Sequence, residues 1–286
     1  MRKIKYVTIV LVIVFALISC KRAEPEFGVE PSRDLLLQQA WEHYDRGEFD
    51  VAEFLFDSLI TLNLRDREAL LGKGYTLVSK KNYDLSSALS YFSLILAIDG
   101  ISLVEKKFKE VATIITSRSL PYGATWAIRT KKRNIVWVSN VIEAPADVHS
   151  PIYFDDTLVY FKGTPPDTIT YIDYTYYKPQ SSTDDIFSWA WAGIGLIYLA
   201  QDKRSLSAEY LYSLVRRSRA FYFPHYPFIK FTNIIGSAAY VYFKEGLYAN
   251  AVDILKLSGW IDYPEDPFDP TTHLKILLKI EELMND

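Results

Sequence analysis

Between Asp34 and Gly100, apolar residues recur at intervals of three and four, the spacing that gathers them on one face of a helix. The same spacing returns after residue 183 and runs to Met284. Between 121 and 180 the pattern changes. Asn134–Ile142 is rich in Val, Ile and Trp, and Leu158–Lys162 and Thr168–Tyr177 flank the five-residue turn Gly163-Thr164-Pro165-Pro166-Asp167, which reads as a β-hairpin. Thr168–Tyr177 carries Tyr171, Tyr174, Tyr176 and Tyr177, so rings fall on both of its faces. The pattern predicts a mainly α chain, with helices over 34–120 and 183–286 and a β-rich insertion over 121–182. Ser102–Ser119 reads as an amphipathic helix with a basic face, and Thr272–Met284 as a C-terminal cap. The insertion reads either as a small three-stranded sheet packed on the helices or as a recognition edge or flap. The two-faced strand favours the packed version, since such strands are covered on at least one side.

The helical stretches also repeat an order of small and large residues. Ala40, Gly47, Phe49, Ala52, Phe56 and Leu59 form one unit, and Gly74, Tyr83, Ala88, Phe92 and Ile95 a second. Trp191, Ile194, Gly195, Tyr198, Ala208, Tyr212 and Val215 form a third. Ile235, Ala239, Tyr242, Gly246, Tyr248, Ala251 and Leu255 form a fourth. The order resembles the tetratricopeptide repeat, and the 34 residues from Ala40 to Gly74 equal that family's period. Ala52 to Ala88 is 36, with Leu85-Ser86-Ser87 lengthening the turn, and Gly195 to Ala239 is 44. Phe221–Phe228, with Pro224 and Pro227, supplies most of that excess as a long connection. The resemblance covers about half of the chain and implies an α-solenoid of about four helix pairs. In such a solenoid small residues let antiparallel helices approach and bulky ones fill the groove between pairs.

Ahead of the helices, Arg2, Lys3 and Lys5 precede the apolar run Tyr6–Ile18, whose 13 residues fall short of the ~20 of a spanning helix. The run closes on Leu17-Ile18-Ser19-Cys20, which holds the only cysteine. These four residues resemble the lipobox of bacterial lipoproteins. The resemblance implies that residues 1–19 are a signal peptide and that Cys20 becomes an acylated N-terminus, followed by a tether over 20–33. Several acyl chains hold a protein stably where one does not. In that family Asp after the cysteine favours the inner membrane. Lys21 stands here, so the expected destination is the bacterial outer membrane, on either its periplasmic or its surface side. The rival readings, a buried thiol or an uncleaved anchor, fit less well with Lys21 and Arg22 following directly.

Charge narrows the function. Removing three of the 32 basic residues with the signal, and none of the 35 acidic ones, leaves a formal −6, which disfavours a nucleic-acid partner. The clusters Lys106-Lys107-Lys109, Lys131-Lys132-Arg133 and Arg216-Arg217-Arg219 then read as solvated faces. With 21 Tyr, 16 Phe and 6 Trp, aromatics reach 15%, a composition suited to half-buried surfaces.

Chemistry has few candidates. There is no nucleophile elbow, phosphate-binding glycine loop or His-Glu-x-x-His, and His43, His149, His225 and His273 lack ligand spacing. Asp262, Glu265, Asp266 and Asp269, and Asp155-Asp156, lack the alternation with a central Gly of a calcium loop and read as solvated loop charges. No enzyme, metal or cofactor is therefore expected. The family's concave groove, carried over by position, implies partner-binding residues at Trp41, Tyr44 and Asp45, Tyr75, Trp189, and Tyr240, Phe243 and Lys244. Such a groove suits an extended peptide or helix of an envelope protein. The alternative is a glycan-binding lipoprotein similar in logic to the starch-utilisation lipoproteins, with Trp137 or the Tyr171–Tyr177 strand as sugar platforms.

Cys20→Ala should move the full chain from the detergent phase to the aqueous phase on phase partitioning. Identical partitioning of both chains, with a mature N-terminus upstream of Cys20, would rule out lipidation.

Overall fold

The computed structural model describes residues 32–286 apart from 99, 101–103, 112, 118, 144–149, 166–169, 178–184, 218–220 and 226–228. The expected signal, Cys20 and all of the tether but its end lie outside these residues, as do part of the Gly163–Asp167 turn, His149 and Pro227. The described chain is mainly helical with an antiparallel β insertion. Four helices come first: α1 (Arg33–Asp45), α2 (Phe49–Leu62), α3 (Arg67–Ser79) and α4 (Leu85–Ile98). Seven strands follow: β1 (Val104–Val111), β2 (Thr113–Thr116), β3 (Trp126–Arg129), β4 (Ile135–Glu143), β5 (Tyr153–Phe154), β6 (Leu158–Phe161) and β7 (Thr170–Tyr177). The chain ends in α5 (Asp185–Ala200), α6 (Arg204–Arg217), α7 (Phe231–Lys244), α8 (Tyr248–Leu255) and α9 (Pro270–Asn285).

The helices start where the side chains cap them. Ser32, Asp66 and Asp269 each accept a backbone N–H of the first turn of α1, α3 and α9. Each helix packs on the next, and the alternate helices α1, α3, α5 and α7 also touch in turn, while α9 closes on α7 and α8. Three of the links within helix pairs share one turn. The N–H of Gly47, Asp202 and Gly246 bonds the carbonyl three residues back, and the following N–H reaches five back. That turn needs a positive φ, which is 75° at both glycines and 55° at Asp202.

Close approach depends on missing side chains. A Cβ on Gly72 would stand 2.2 Å from the Phe56 ring, and one on Gly195 would stand 2.5 Å from Leu211. Cβ atoms on Gly74 and on Gly193 would each fall 2.5 Å from the ring of the same residue, Phe92. Ala40 and Ala239 are fully buried. Polar contacts reinforce α2 against α3. Lys73 Nζ donates to Glu53 at 2.8 Å and Asp57 at 2.7 Å, and Lys80 also reaches Glu53. Burial works against the Lys73 charge, but these carboxylates outweigh it and hold its pKa above the ordinary 10.5.

The insertion corrects three expectations. Ser102–Ser119 is not a helix: its described residues include β1 and β2, so strands begin at Val104 rather than after residue 120. Val104, Phe108 and Val111 are spaced as on a helix, but a register shift between Lys107 and Glu110 breaks the period of two, and pairing with β7 decides the state. The hairpin does not form either. β6 pairs with β3 and β5, whereas β7 lies between β1 and β4 in another sheet. A two-faced apolar strand such as β7 is better served at a sheet's centre, paired on both sides. The single three-stranded sheet becomes two, ordered β1-β7-β4 and β2-β3-β6-β5.

Both sheets pack on helices. β4 and β7 lie on α6, where Thr175 Oγ1 donates to the buried Glu209 at 3.0 Å. β5 lies on α8, where the Asn250 amide accepts from Phe154 N at 3.3 Å and donates to Phe154 O at 2.8 Å.

Gly74→Ala and Gly193→Ala should each cost about 1–3 kcal/mol in urea unfolding, although Ala favours a helix over Gly by about 1 kcal/mol. In a Phe92→Leu background the cost should shrink. Additive losses would show that the ring is not what the glycines accommodate.

Candidate functional site

Three alternate helices build one face. On α1, Trp41, Tyr44 and Asp45 follow at spacings of three and four and so share a side. Tyr75 comes from α3 and Trp189 from α5. The helices are tied across that face, because Tyr75 OH donates to the Trp189 carbonyl at 2.8 Å and Tyr44 OH lies 3.0 Å from Ser79 Oγ.

The face is occupied. Phe223, from the connection between α6 and α7, is fully buried, with its ring centroid 4.5 Å from Tyr75, 5.2 Å from Trp189 and 6.0 Å from Trp41. His225 stacks on Trp41 at 4.1 Å with 8° between the planes, and its Nδ1 lies 3.3 Å from Asp45 Oδ2. Trp189 Nε1 donates to the Tyr222 carbonyl at 2.9 Å.

Five of the eight expected groove residues are therefore brought together, but not as an open surface. Trp41, Tyr44 and Tyr75 are buried: Phe223 covers the Trp41 and Tyr75 rings and His225 stacks on Trp41, while Tyr44 packs on Trp41 and Phe49. The other three belong to a different contact. Phe243 meets Tyr248 at 5.2 Å and His273 at 5.9 Å, and Lys244 lies over Tyr240 on its own helix. α9 makes Phe243 a packing position, whereas Lys244 is exposed. Phe221–Phe228 is expected only as a long connection. Its signal was the alternation of Phe221, Phe223 and His225, which turn inward, with the exposed Tyr222 and Pro224.

Two clefts flank the ring cluster. One of about 490 Å³ is lined by Arg33, Leu37, Trp41, Glu42, Asp45 and His225, among others. The other, of about 460 Å³, includes Arg33, Asn63, Arg65, Asp66, Ile186 and Trp189. Arg33 divides them. Expected as the end of the tether, it instead opens α1 and grips the α3 cap, with Nε and Nη2 each 2.8 Å from the Asp66 carboxylate. Burial alone would raise the Asp66 pKa, but Arg33 and the Ala69 N–H outweigh it and hold the carboxyl below its ordinary value.

The loop acids have structural duties. Asp155 accepts from the N–H groups of Thr157 and Leu158 and from Tyr160 OH, Asp266 from Phe268 N, and Asp262 pairs with Lys275. A third cleft, of about 620 Å³ between β5, α6 and α8, is lined by Asp155, Asp156, Arg216 and Asp253 with Tyr153 and Tyr212. Its acids are engaged internally too, Asp253 by Tyr153 OH and Lys256 and Asp156 by Arg216. Among the described residues no group of three or more His, Cys, Asp or Glu could hold a metal ion. No described helix is long and apolar enough to cross a membrane. Of the Tyr171–Tyr177 strand expected as a sugar platform, Tyr174, Tyr176 and Tyr177 are buried and Tyr171 is half-buried, and the half-buried Trp137 packs toward Tyr242. The sequence matches no family model and no curated protein.

Asp66→Ala should destabilise by about 1–2 kcal/mol at neutral pH through loss of the cap and its charged bond. A carboxyl with a depressed folded pKa adds stability above its ordinary 3.8 that is lost as pH falls through the lower folded value. Unfolding curves should converge for variant and wild type in acid. A gap independent of pH would remove the Asp66 charge from the account.

Proposed function

We propose that the protein is a lipid-anchored scaffold of the bacterial cell envelope, held by acylated Cys20 and expected at the outer membrane. Its helices are read as four tetratricopeptide-like pairs, α1–α2, α3–α4, α5–α6 and α7–α8, capped by α9. The repeated turn at Gly47, Asp202 and Gly246 and the contacts among α1, α3, α5 and α7 support the repeat reading. The array binds a protein or peptide partner along the α1–α3–α5 face.

One observation carries this reading: the face already accommodates a non-helical stretch of polypeptide, gripping it with rings, an indole N–H and a carboxylate. Stacking rings and a side-chain donor aimed at a peptide carbonyl are the means by which grooves hold extended chains. Adjacent clefts leave room for more chain on either side.

The test is photo-crosslinking in intact cells from a reactive residue at Gln38, which lines the first cleft. A discrete protein adduct is expected. Reversing Glu42 and Asp45 to Lys should weaken it by about 1–3 kcal/mol while leaving the circular dichroism unchanged. An adduct pattern insensitive to both reversals would detach the partner from this face.

A further inference from the structure

The segment from Phe221 to His225 is built unlike the rest of the helical array. It belongs to no helix or strand, and its Tyr222 makes one isolated bridge to Lys230. Yet Phe223 is as buried as any core residue. What holds it is the α1–α3–α5 face itself: three rings around Phe223, the Trp189 N–H on the Tyr222 carbonyl, and Trp41 with Asp45 on His225. The outward residue Tyr222 is 68% exposed. Alternate residues thus face into and away from the groove, with the backbone turning at Pro224 and His225.

The chemistry of the site specifies what else would fit. The deepest position takes an aromatic ring, between Tyr75 and Trp189. Two residues on, the Trp41 face and the Asp45 carboxylate together favour a cation, by ring quadrupole and by charge. Beyond His225 the cleft is lined by four carboxylates, Asp34, Glu42, Asp45 and Glu68, with Arg33, and Glu42 also pairs with Arg46. Arg33 is itself engaged by Asp34, Asp66 and Glu68.

We propose that Phe221–His225 is a resident ligand of this groove, held in cis where a partner segment binds in trans. The partner is a non-helical polypeptide segment with an aromatic residue followed two positions later by a basic one, and with further basic residues after it. This rests on the reading of the face as the partner site. Because the resident segment is tethered, it competes at a high effective concentration. The partner's apparent affinity is then its intrinsic affinity reduced by the fraction of molecules whose groove is open.

The probe is a fluorescein-labelled peptide of residues 219–227, titrated into the full chain and into a full-chain Phe223→Ser/His225→Ser variant whose groove is vacated. The variant should bind the peptide at least tenfold tighter than wild type. Replacing the Phe223-equivalent residue of the peptide by Ala, or its His by Glu, should abolish that gain. A folded variant that binds no better than wild type overturns the proposal.

If the variant fails to fold, a Cys20→Ala/Tyr222→Cys full chain with an environment-sensitive dye on the exposed 222 position replaces it. Excess unlabelled peptide should then give a saturable change of dye signal, and a flat titration overturns the proposal. Crosslinking from Gln38 separates the two readings. A captured protein without peptide binding leaves the scaffold standing and removes the resident ligand. Peptide binding without any captured protein does the reverse.

Discussion

The Phe92 ring is the joint on which the rest of the helical array depends. It projects from α4 and meets a glycine on each side, Gly74 of α3 and Gly193 of α5, at positions where a single methyl group would collide. Packing of this kind is unforgiving, because an interior at crystal-like density cannot absorb an added carbon without moving a helix. Removing the ring would cost about 3–5 kcal/mol, the range for truncating a buried Phe. The joint also closes a long detour. Between α4 and α5 the chain leaves to build both sheets, and it returns to pack α5 on α4 and α3. The insertion must therefore start and end at neighbouring points. That constraint brings Trp189, which follows the insertion, within a hydrogen bond of Tyr75, which precedes it.

The groove floor is a consequence of that joint. Tyr75 is next to Gly74 in sequence and packs its ring on Phe92 at 4.9 Å. Phe223 then packs on Tyr75 at 4.5 Å. A methyl at position 74 or 193 would push α3 and α5 apart and open the space between Tyr75 and Trp189. Stability and the geometry of the binding face are set by one contact.

What the sequence disclosed follows the range of each interaction. Gly47 and Gly246 mark their turns because a positive φ selects glycine. The equivalent turn at Asp202 carries no such mark, although its backbone is the same. Gly195 faces Leu211 of the neighbouring helix α6, whereas Gly193 faces Phe92 across the insertion, a contact that nothing in the adjacent sequence marks. On the site, Trp41, Tyr44 and Asp45 were legible only through the groove positions that the resemblance to tetratricopeptide repeats implies. Their occupant was not, because Asp45 and His225 are separated by 180 residues. The strands failed for a similar reason. A bulge hid the alternation in β1, and adjacency in sequence suggested pairing β6 with β7 when each finds its partners elsewhere.

Arg33 connects the groove to the chain that precedes it. It is the first residue of α1, and its guanidinium is fixed on the buried Asp66 carboxylate between the two clefts. An exposed ion pair would contribute little here, but one partner is desolvated and the contact is bidentate, which makes its geometry specific. The point where the chain enters α1 is therefore held at the acidic end of the α1–α3–α5 face. On the proposed anchoring at Cys20, the intervening residues span about 40 Å at full extension. A basic segment entering the cleft at Asp45 and Glu42 would then be captured within that distance of the membrane. The acidic cleft would draw it in by the same long-range attraction that steers charged partners together. Arg33 is thus the residue common to the entry point of α1 and the acidic cleft.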